Sequence, residues 1–585
     1  MDRIRRSFLA TATAAATASL PAVATSAGRV RPGDVAWPSP ERWAALGQRV
    51  GGNLIRPVSP FAPEAGQAAA AEAHQQIRNP FYLGDHPALT QSSGWAGVWS
   101  STPSAYAVAA RHAADVAAAV DFARAQRLRL VVRGGGHSYH GQSSAPDSLM
   151  VWTRRMREAT RHEAFVPHGC EARVAPTAAV SLGAGALWLD AYQAATTQGG
   201  RYVQGGGCTT VGVAGLLLGG GFGSFSKRYG IAAASLLEAE VVTADGAVRT
   251  VNACTHPDLF WALKGGGAGF GIVTRVTLAT HDLPETLGGA FLKVRAESDA
   301  AYRRLIARFL DFYAEDLLNP HWGEIVRVRR DNALDVAMVF QGLSAADVNR
   351  LWQPFLASIA AAPEHFATVE PFRALALPAH RMWDAAWLRA NAPGLTVADA
   401  RPGAPAGSFV WAGDATQAGQ FIHGYDSAWL PVALLAHGQI GRLADALFEA
   451  SRHAAVALHF NKGLAGAAPE AVAGARETAI HPAALEAFAL AISGAEGPPR
   501  FPGQPAPPLN TDATRRDGGR VGAAIARLRQ LVPQTGSYVW ESDYFARDWQ
   551  QAFWGANYPR LLAVKRRYDP QRLFAAHHSV GSEGR

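Results

Sequence analysis

Between residues 134 and 267 the chain gives up its side chains in four separate blocks, at residues 134–136, 205–207, 219–221 and 265–267. The first lies in "LRLVVRGGGHSYHG" (128–141), where five strand-like residues run into Arg133, three glycines, His137 and His140. Glycine permits positive φ and lets a backbone approach a ligand that a Cβ would hold off. Four such blocks in one stretch exceed what turns need, and they point to a backbone lying against something large. A loop that leaves a strand in this way also offers free N–H groups to phosphate oxygens. The spacing is not that of a G-x-G-x-x-G dinucleotide fingerprint, because Tyr139 stands where the last glycine would fall. Nor is "GGGFGSFSK" a P-loop, because Ser226 rather than glycine precedes Lys227.

At 585 residues the chain exceeds what one hydrophobic core supports, so at least two domains are expected. A net charge of +8, from 55 basic and 47 acidic residues, is spread without a basic run or an aromatic-interleaved stripe. That argues against nucleic acid as a partner. The first residues, "MDRIRRSFLATATAAATASLPAVATSAG", place arginines before a weakly apolar run and end in Ala22, Val23 and Ala24. They read as a secretory signal cleaved near Ala24 or Ala27, with Arg5–Arg6 resembling a twin-arginine export motif. The expected location is therefore periplasmic or extracellular, with no membrane span. Of three cysteines, Cys170, Cys208 and Cys254, at most one pair can bridge. Cys208, framed by glycines, is the candidate odd thiol, and whether Cys170 and Cys254 pair stays open. No C-x-x-C spacing occurs, and His137 with His140 has no third ligand nearby, so no metal is expected.

The organisation follows from texture. Residues 1–27 form the signal and 28–94 an N-terminal segment with short helices. Residues 95–285 carry the glycine blocks and alternate helical and strand patterns, with "LLEAEVVTADG" as a strand ending in a turn at Asp245–Gly246. After "LPETLGG", residues 286–534 show short strand candidates ("GEIVRVRR", "LDVAMVF", "SFVWAG", "AAVALHF") between helices, as expected of an antiparallel sheet backed by helices. "GAEGPPRFPGQPAPPLNTD" reads as a surface loop, and residues 535–585 end in a helix stopped at Asp569–Pro570. The fold class is α+β.

Four segments in order carry a specific likeness: "RGGGHSYHGQS", "GGGCTTVGVAGLLLGGGFGSFSKRYG", "PDLFWALKGGGAGFGIVT" and "FWGANYPRLLAVKRRYDPQRLF". Together they resemble the berberine bridge enzyme-like branch of the vanillyl-alcohol oxidase/p-cresol methylhydroxylase (PCMH) superfamily of FAD-linked oxidases. The resemblance implies a PCMH-type FAD-binding domain of two α/β subdomains, a substrate domain, and a C-terminal segment completing the FAD site. It further implies covalent attachment of the flavin through His137 and Cys208. The surrounding cofactor set carried over is Arg133, Gly134, Gly135, Gly136, Ser138, Gly205, Gly206, Gly207, Gly212, Gly215, Gly271, Ile272, Val273 and Asn557, the last near the pyrimidine edge of the ring.

The implied reaction is hydride transfer from a small-molecule C–H to the flavin, aided by a base on a hydroxyl, with O2 as terminal acceptor. A dehydrogenase using another acceptor is the alternative, and a non-catalytic flavin binder a more distant one. Candidate catalytic side chains are Tyr139 beside the flavin histidine, His459 and Asn461 in "VALHFNKGLAG", and Glu541 and Tyr544 in "YVWESDYF", read as the strand before the C-terminal signature. Lys462 and Tyr538 lie beside them. Sugar-oxidising relatives place a tyrosine where this chain has Trp540 or Glu541, so sugar specificity does not carry over through this motif. The oligomeric state is not legible in the sequence.

Overall fold

The computed structural model describes residues 28–583. The proposed signal, 1–27, lies outside the described residues. A first subdomain is built on a four-stranded sheet in the order Leu54–Ile55, Tyr106–Ala109, Ser148–Trp152, Arg129–Arg133, with the last three parallel. The helix Ala113–Ala125 makes the crossover. Its alanine-rich sequence favours helix, and Asp115 starts it by accepting from the N–H groups of Arg111 and His112 (2.9 and 3.2 Å). It buries Val116, Ala119, Val120 and Ala123 against the sheet.

The second subdomain is a five-stranded antiparallel sheet in the order Val248–Asn252, Leu236–Val242, Ile272–Ala279, Thr177–Gly183, Ala159–Phe165. The expected turn closes its first hairpin. Asp245 accepts from Thr243 and Ala247, and Gly246 takes φ +82°, a region that costs glycine little. A disulfide joins Cys170 to Cys254 (Cα–Cα 5.7 Å), which answers the open pairing and leaves Cys208 as the free thiol.

The third unit is a nine-stranded sheet: Phe366–Pro378, Thr286–Ala296, Ala333–Gln341, Trp322–Val328, Val456–His459, Ala487–Gly497, Phe421–Pro431, Gly94–Trp95, Trp99–Ser100. It is antiparallel except where Gly94–Trp95 joins Phe421–Pro431. The helices Asp299–Phe312, Ala345–Ala360, Ile440–His453 and Thr511–Arg529 cover one face, burying Val294, Val326, Met338 and Leu458 beneath them. Its far edge comes from residues 94–100, so the expected boundary at 95 cuts through a strand of this sheet. Two further expectations need correction. "YVWESDYF" is not a strand but a tight turn with one bridge, Tyr538 to Glu541, because Ser427 ties down the N–H of Tyr538 and the carbonyl of Glu541. "GAEGPPRFPGQPAPPLNTD" begins inside the strand Ala487–Gly497, and Phe501 is buried against Phe61.

Glycine also sets how the units meet. A Cβ on Gly323 would lie 1.8 Å from the carbonyl oxygen of Ser224, and one on Gly223 would lie 1.8 Å from that of Gly205. Three backbones therefore stack directly, seating the large sheet on the segment just after the third glycine block, and that segment on the second block. Lys227 pins the same junction. Fully buried, it donates to the carbonyls of Gly463 and Ala465 (2.7 and 2.6 Å) and Phe488 (3.4 Å). Desolvation pulls its ammonium down to about 7.

Candidate active site

One cavity of about 780 Å³ runs between the glycine-rich subdomains and the nine-stranded sheet. That is in the upper part of the roughly 300–1,000 Å³ typical of small-molecule and cofactor sites. Gly134, Gly135, Gly136, His137, Ser138 and Tyr139 line it, as do Gly206, Gly207, Cys208, Gly212, Gly215, Gly271, Ile272 and Val273. The sheet contributes Glu324, Ile325, His459, Asn461 and Lys462, and the C-terminal segment contributes Trp540, Glu541 and residues 574–576. His137, Tyr139 and Cys208 also border a small adjoining cleft with Asp414, Gln417 and Gln420, so residues distant in sequence converge on one place.

The glycines are used in three different ways. A Cβ on Gly135 would stand 2.7 Å from the backbone N of Gly212, so two loops of the cavity wall touch backbone to backbone. A Cβ on Gly271 would strike Val241 at 2.5 Å, so that glycine serves strand packing. A Cβ on Gly215 would meet no protein atom within 4 Å, which leaves open space beside the wall. Stripped loops following a strand, and open volume beside them, fit an extended dinucleotide such as FAD.

His137 is held by its Nε2, 3.1 Å from the carbonyl of Thr210. Desolvation pulls the imidazole down to about 4, so it is neutral at pH 7. A carbonyl only accepts, so Nε2 carries the hydrogen and Nδ1 keeps a lone pair. Cys208 sits in a loop gripped from both sides. Trp411 Nε1 donates to Gly207 O (3.1 Å), and Thr209 Oγ1 donates to Phe409 O (2.8 Å). Its thiol is pushed well up by burial and by the nearby Asp414 carboxylate; burial raises Asp414 as well.

On the sheet side, Glu324 occupies a left-handed backbone position (φ +66°) at the cavity wall and accepts a hydrogen bond from Ser224. Burial raises its carboxyl. Lys462 pairs with Glu541 Oε2. Burial lowers His459 well below its usual value, with Lys462 and Arg327 adding to the effect. Tyr139 lies 4.9 Å from Tyr425, ring to ring, and burial beside Glu541 keeps its hydroxyl protonated. Asn461 is 3% exposed, and its Oδ1 has no hydrogen-bond partner. Because a buried unpaired acceptor is costly, this atom is suited to a ligand donor.

Four of the sequence-derived site residues do not line the cavity. Arg133 is fully buried and donates to the carbonyls of Leu89 (2.6 Å) and His86 (3.1 Å), tying down the N-terminal segment. Gly205 faces Trp188, whose ring a Cβ would overlap at 2.0 Å. Asn557 spends its amide on the carbonyl of Ile480 (2.8 Å). Tyr544 stacks on His577 at 3.7 Å, with Trp95 and His140 around it. Conversely Glu324, Asp414 and Tyr425 reach the cavity without having been singled out in the sequence. A carboxylate at Glu324, beside the apolar pair Ile325–Val326 of "GEIVRV", was a readable signal. Asp414 follows a short turn after Phe409–Trp411 and gave none. Among the described residues no group of three or more His, Cys, Asp or Glu is placed to hold a metal, and no helix is long and apolar enough to cross a membrane.

Residues 104–252 match the family model described as an FAD binding domain, and residues 537–581 match the one described as berberine and berberine like. An FAD-linked oxidoreductase of Aspergillus flavipes is 30% identical over 498 residues, covering 82% of this chain and 76% of that protein. A solved VAO-type flavoprotein from Myceliophthora thermophila superposes with a TM-score of 0.76 at 25% identity, covering 95% of this chain and 97% of that one. A glucooligosaccharide oxidase from Acremonium strictum shares the fold at 20% identity (TM-score 0.64, covering 88% and 98%) and is described as carrying 6-S-cysteinyl, 8α-N1-histidyl FAD. The chain belongs to the berberine bridge enzyme-like FAD-linked oxidoreductases of the vanillyl-alcohol oxidase/PCMH superfamily. It is an oxidoreductase with an FAD-binding domain.

Proposed function

We propose that the chain is an exported FAD-linked oxidase that takes a hydride from a carbon bearing a hydroxyl and passes the electrons to O2, yielding hydrogen peroxide. The observation that carries this reading is that His137, whose Nδ1 keeps its lone pair, and Cys208 both face the large cavity. Each would hold the flavin covalently, His137 through Nδ1 and Cys208 through its sulfur, as the description of the Acremonium oxidase states for that enzyme. Bound FAD supplies the two-electron acceptor.

The protein supplies position and proton transfer. Lys462 fixes Glu541 Oε2, which leaves Oε1 to take the substrate hydroxyl proton. Asn461 Oδ1 accepts a hydrogen bond from the substrate, and neutral His459 and protonated Tyr139 orient it. Export is supported by the disulfide, since such bonds persist in oxidising compartments, and by the signal-like residues 1–27. The relatives described above are fungal, so the twin-arginine route rests on Arg5–Arg6 alone.

The test is the absorption spectrum of acid-precipitated mature protein. Yellow colour retained in the pellet is expected, lost stepwise in His137→Ala and Cys208→Ala and abolished in the double variant. A pellet without colour, from folded protein supplied with riboflavin, would overturn the covalent assignment. Peroxide formed in step with product separates an oxidase from a dehydrogenase.

A further inference from the structure

Between the strands Phe366–Pro378 and Phe421–Pro431 the chain makes an excursion that reaches the free thiol of Cys208. Within it the strand Phe409–Trp411 runs into a single helical turn, Ala412–Asp414. The bonds from Trp411 to Gly207 O and from Thr209 to Phe409 O clamp both neighbours of Cys208 to that strand. The clamp fixes the turn relative to the thiol, and Cys208 and Asp414 together line both the large cavity and the small cleft. Asp414 keeps an unspent carboxylate. Gln417 Nε2 donates to its Oδ1 (3.3 Å), it enters no ion pair among the described residues, and Arg327 is the cation that faces it. Burial has raised Asp414, which makes it a stronger proton acceptor than an exposed aspartate. The thiol is raised too, so it rests protonated. The other charges facing the sulfur are already engaged: Glu324 Oε1 takes the Ser224 hydroxyl, and Lys462 pairs with Glu541. The cleft behind the pair, about 30 Å³, has room for a water. Gln91 lines it at 4% exposure, with Nε2 donating to Pro80 O (2.7 Å) and Oε1 without a partner. A buried acceptor of this kind gains from a water's hydrogen, which gives a proton a way onward.

We infer that Asp414 is the base that takes the thiol proton of Cys208 as the sulfur joins the flavin, so that the chain completes its own cysteinyl link. Cys208 gives its proton to Asp414, and the sulfur bonds to ring carbon 6, the position described for the Acremonium oxidase. That carbon releases its hydrogen as a proton, and the electron pair gained by the ring passes to O2. The two hydrogens lost, one from sulfur and one from carbon, are those of the hydrogen peroxide formed. Only the thiolate is a good nucleophile, so a positioned base supplies rate that the resting thiol lacks. His137 needs no such base, because its Nδ1 already keeps a lone pair. The inference deepens the covalent reading proposed above and rests on it for the bond at Cys208.

Peptide mapping of the denatured holoenzyme tests it, with iodoacetamide marking any free Cys208 and mass spectrometry locating the flavin. In the wild type the His137 and Cys208 peptides are expected to be joined through one flavin, with Cys208 unlabelled. Asp414→Asn should keep flavin on the His137 peptide and leave Cys208 labelled. Its second link should form in air at least about 100-fold more slowly. Raising the pH should recover part of that rate, since solvent then takes the proton, and Asp414→Glu should recover it at neutral pH. Should Asp414→Asn fail to fold, Gln417→Leu probes the same carboxylate by releasing Oδ1, and about tenfold slower linkage is expected. Linkage at the wild-type rate in the folded variants, or its loss in Glu324→Gln but not in Asp414→Asn, would overturn the inference while leaving the covalent reading intact. A wild type with flavin on His137 and Cys208 labelled throughout would remove the cysteinyl bond itself, and the inference with it.

Discussion

At the scale of single residues, the glycine blocks announced a cofactor site, but only contact geometry separates glycines that face it from those that serve packing. Gly135 against Gly212 N, 2.7 Å from a notional Cβ, is backbone on backbone and has nothing flexible to move. Gly135→Ala should cost about 1–3 kcal/mol and lower retained flavin, measured as absorbance per protein together with Tm. For Glu541, replacement by Gln keeps the shape and removes the proton acceptor. Glu541→Gln is expected to lower kcat by about 10²–10⁴-fold with little change in substrate Kd, checked by steady-state kinetics and calorimetry. His137 and Cys208 were legible because each follows a run of glycines. Asn557 and Tyr544 stand outside the cavity lining, which the sequence does not disclose: a polar side chain in a recognised motif says nothing about which neighbour it satisfies. Asn557 satisfies a carbonyl of the protein itself, and Tyr544 stacks on a histidine.

At the scale of elements, the strands GEIVRV, LDVAMVF and AVALH could be read from alternation, because one face is deeply buried and the other is not. The turn at residues 538–541 was mistaken for a strand because its aromatic, β-prone composition matches one; side-chain bonds from Ser427 decide the conformation instead. Lys227 is likewise invisible as a structural element in the sequence, where it looks like a surface cation next to glycines. In the fold it joins three carbonyls across the domain junction. Lys227→Met preserves volume but strips those carbonyls of their donor. A loss of at least about 2 kcal/mol is expected, read as a lower Tm, with release of the junction detectable as faster hydrogen exchange in residues 463–465.

For the molecule as a whole, many histidines are buried as neutral rings. His86, His137, His140, His281 and His481 are held down to about 4 and His578 to about 3, in each case first by desolvation. With folded values below the unfolded one near 6.5, the unfolded chain binds more protons at mildly acid pH. Stability is therefore fully present above about 6.5 and is lost as pH falls toward 4. Glu324, Asp414 and Glu496, raised by burial, act in the opposite sense, but the histidines outnumber them. Thermal unfolding followed from pH 7.5 to pH 4.5 should show Tm dropping by several degrees; a flat profile would contradict the neutral burial of these rings. None of this was readable beforehand, since nineteen histidines in a sequence do not disclose which are desolvated.

The wall of the cavity includes residues 574–576, and the strand of chain leading to them is fastened to the opposite end of the protein. The guanidinium of Arg29 donates to the carbonyls of Arg572 and Leu573 as well as Leu128. Translation delivers that last piece of wall after all the others. A chain that has not yet been extended through residues 574–576 therefore lacks a finished nest for its prosthetic group, however complete its glycine-rich half already is.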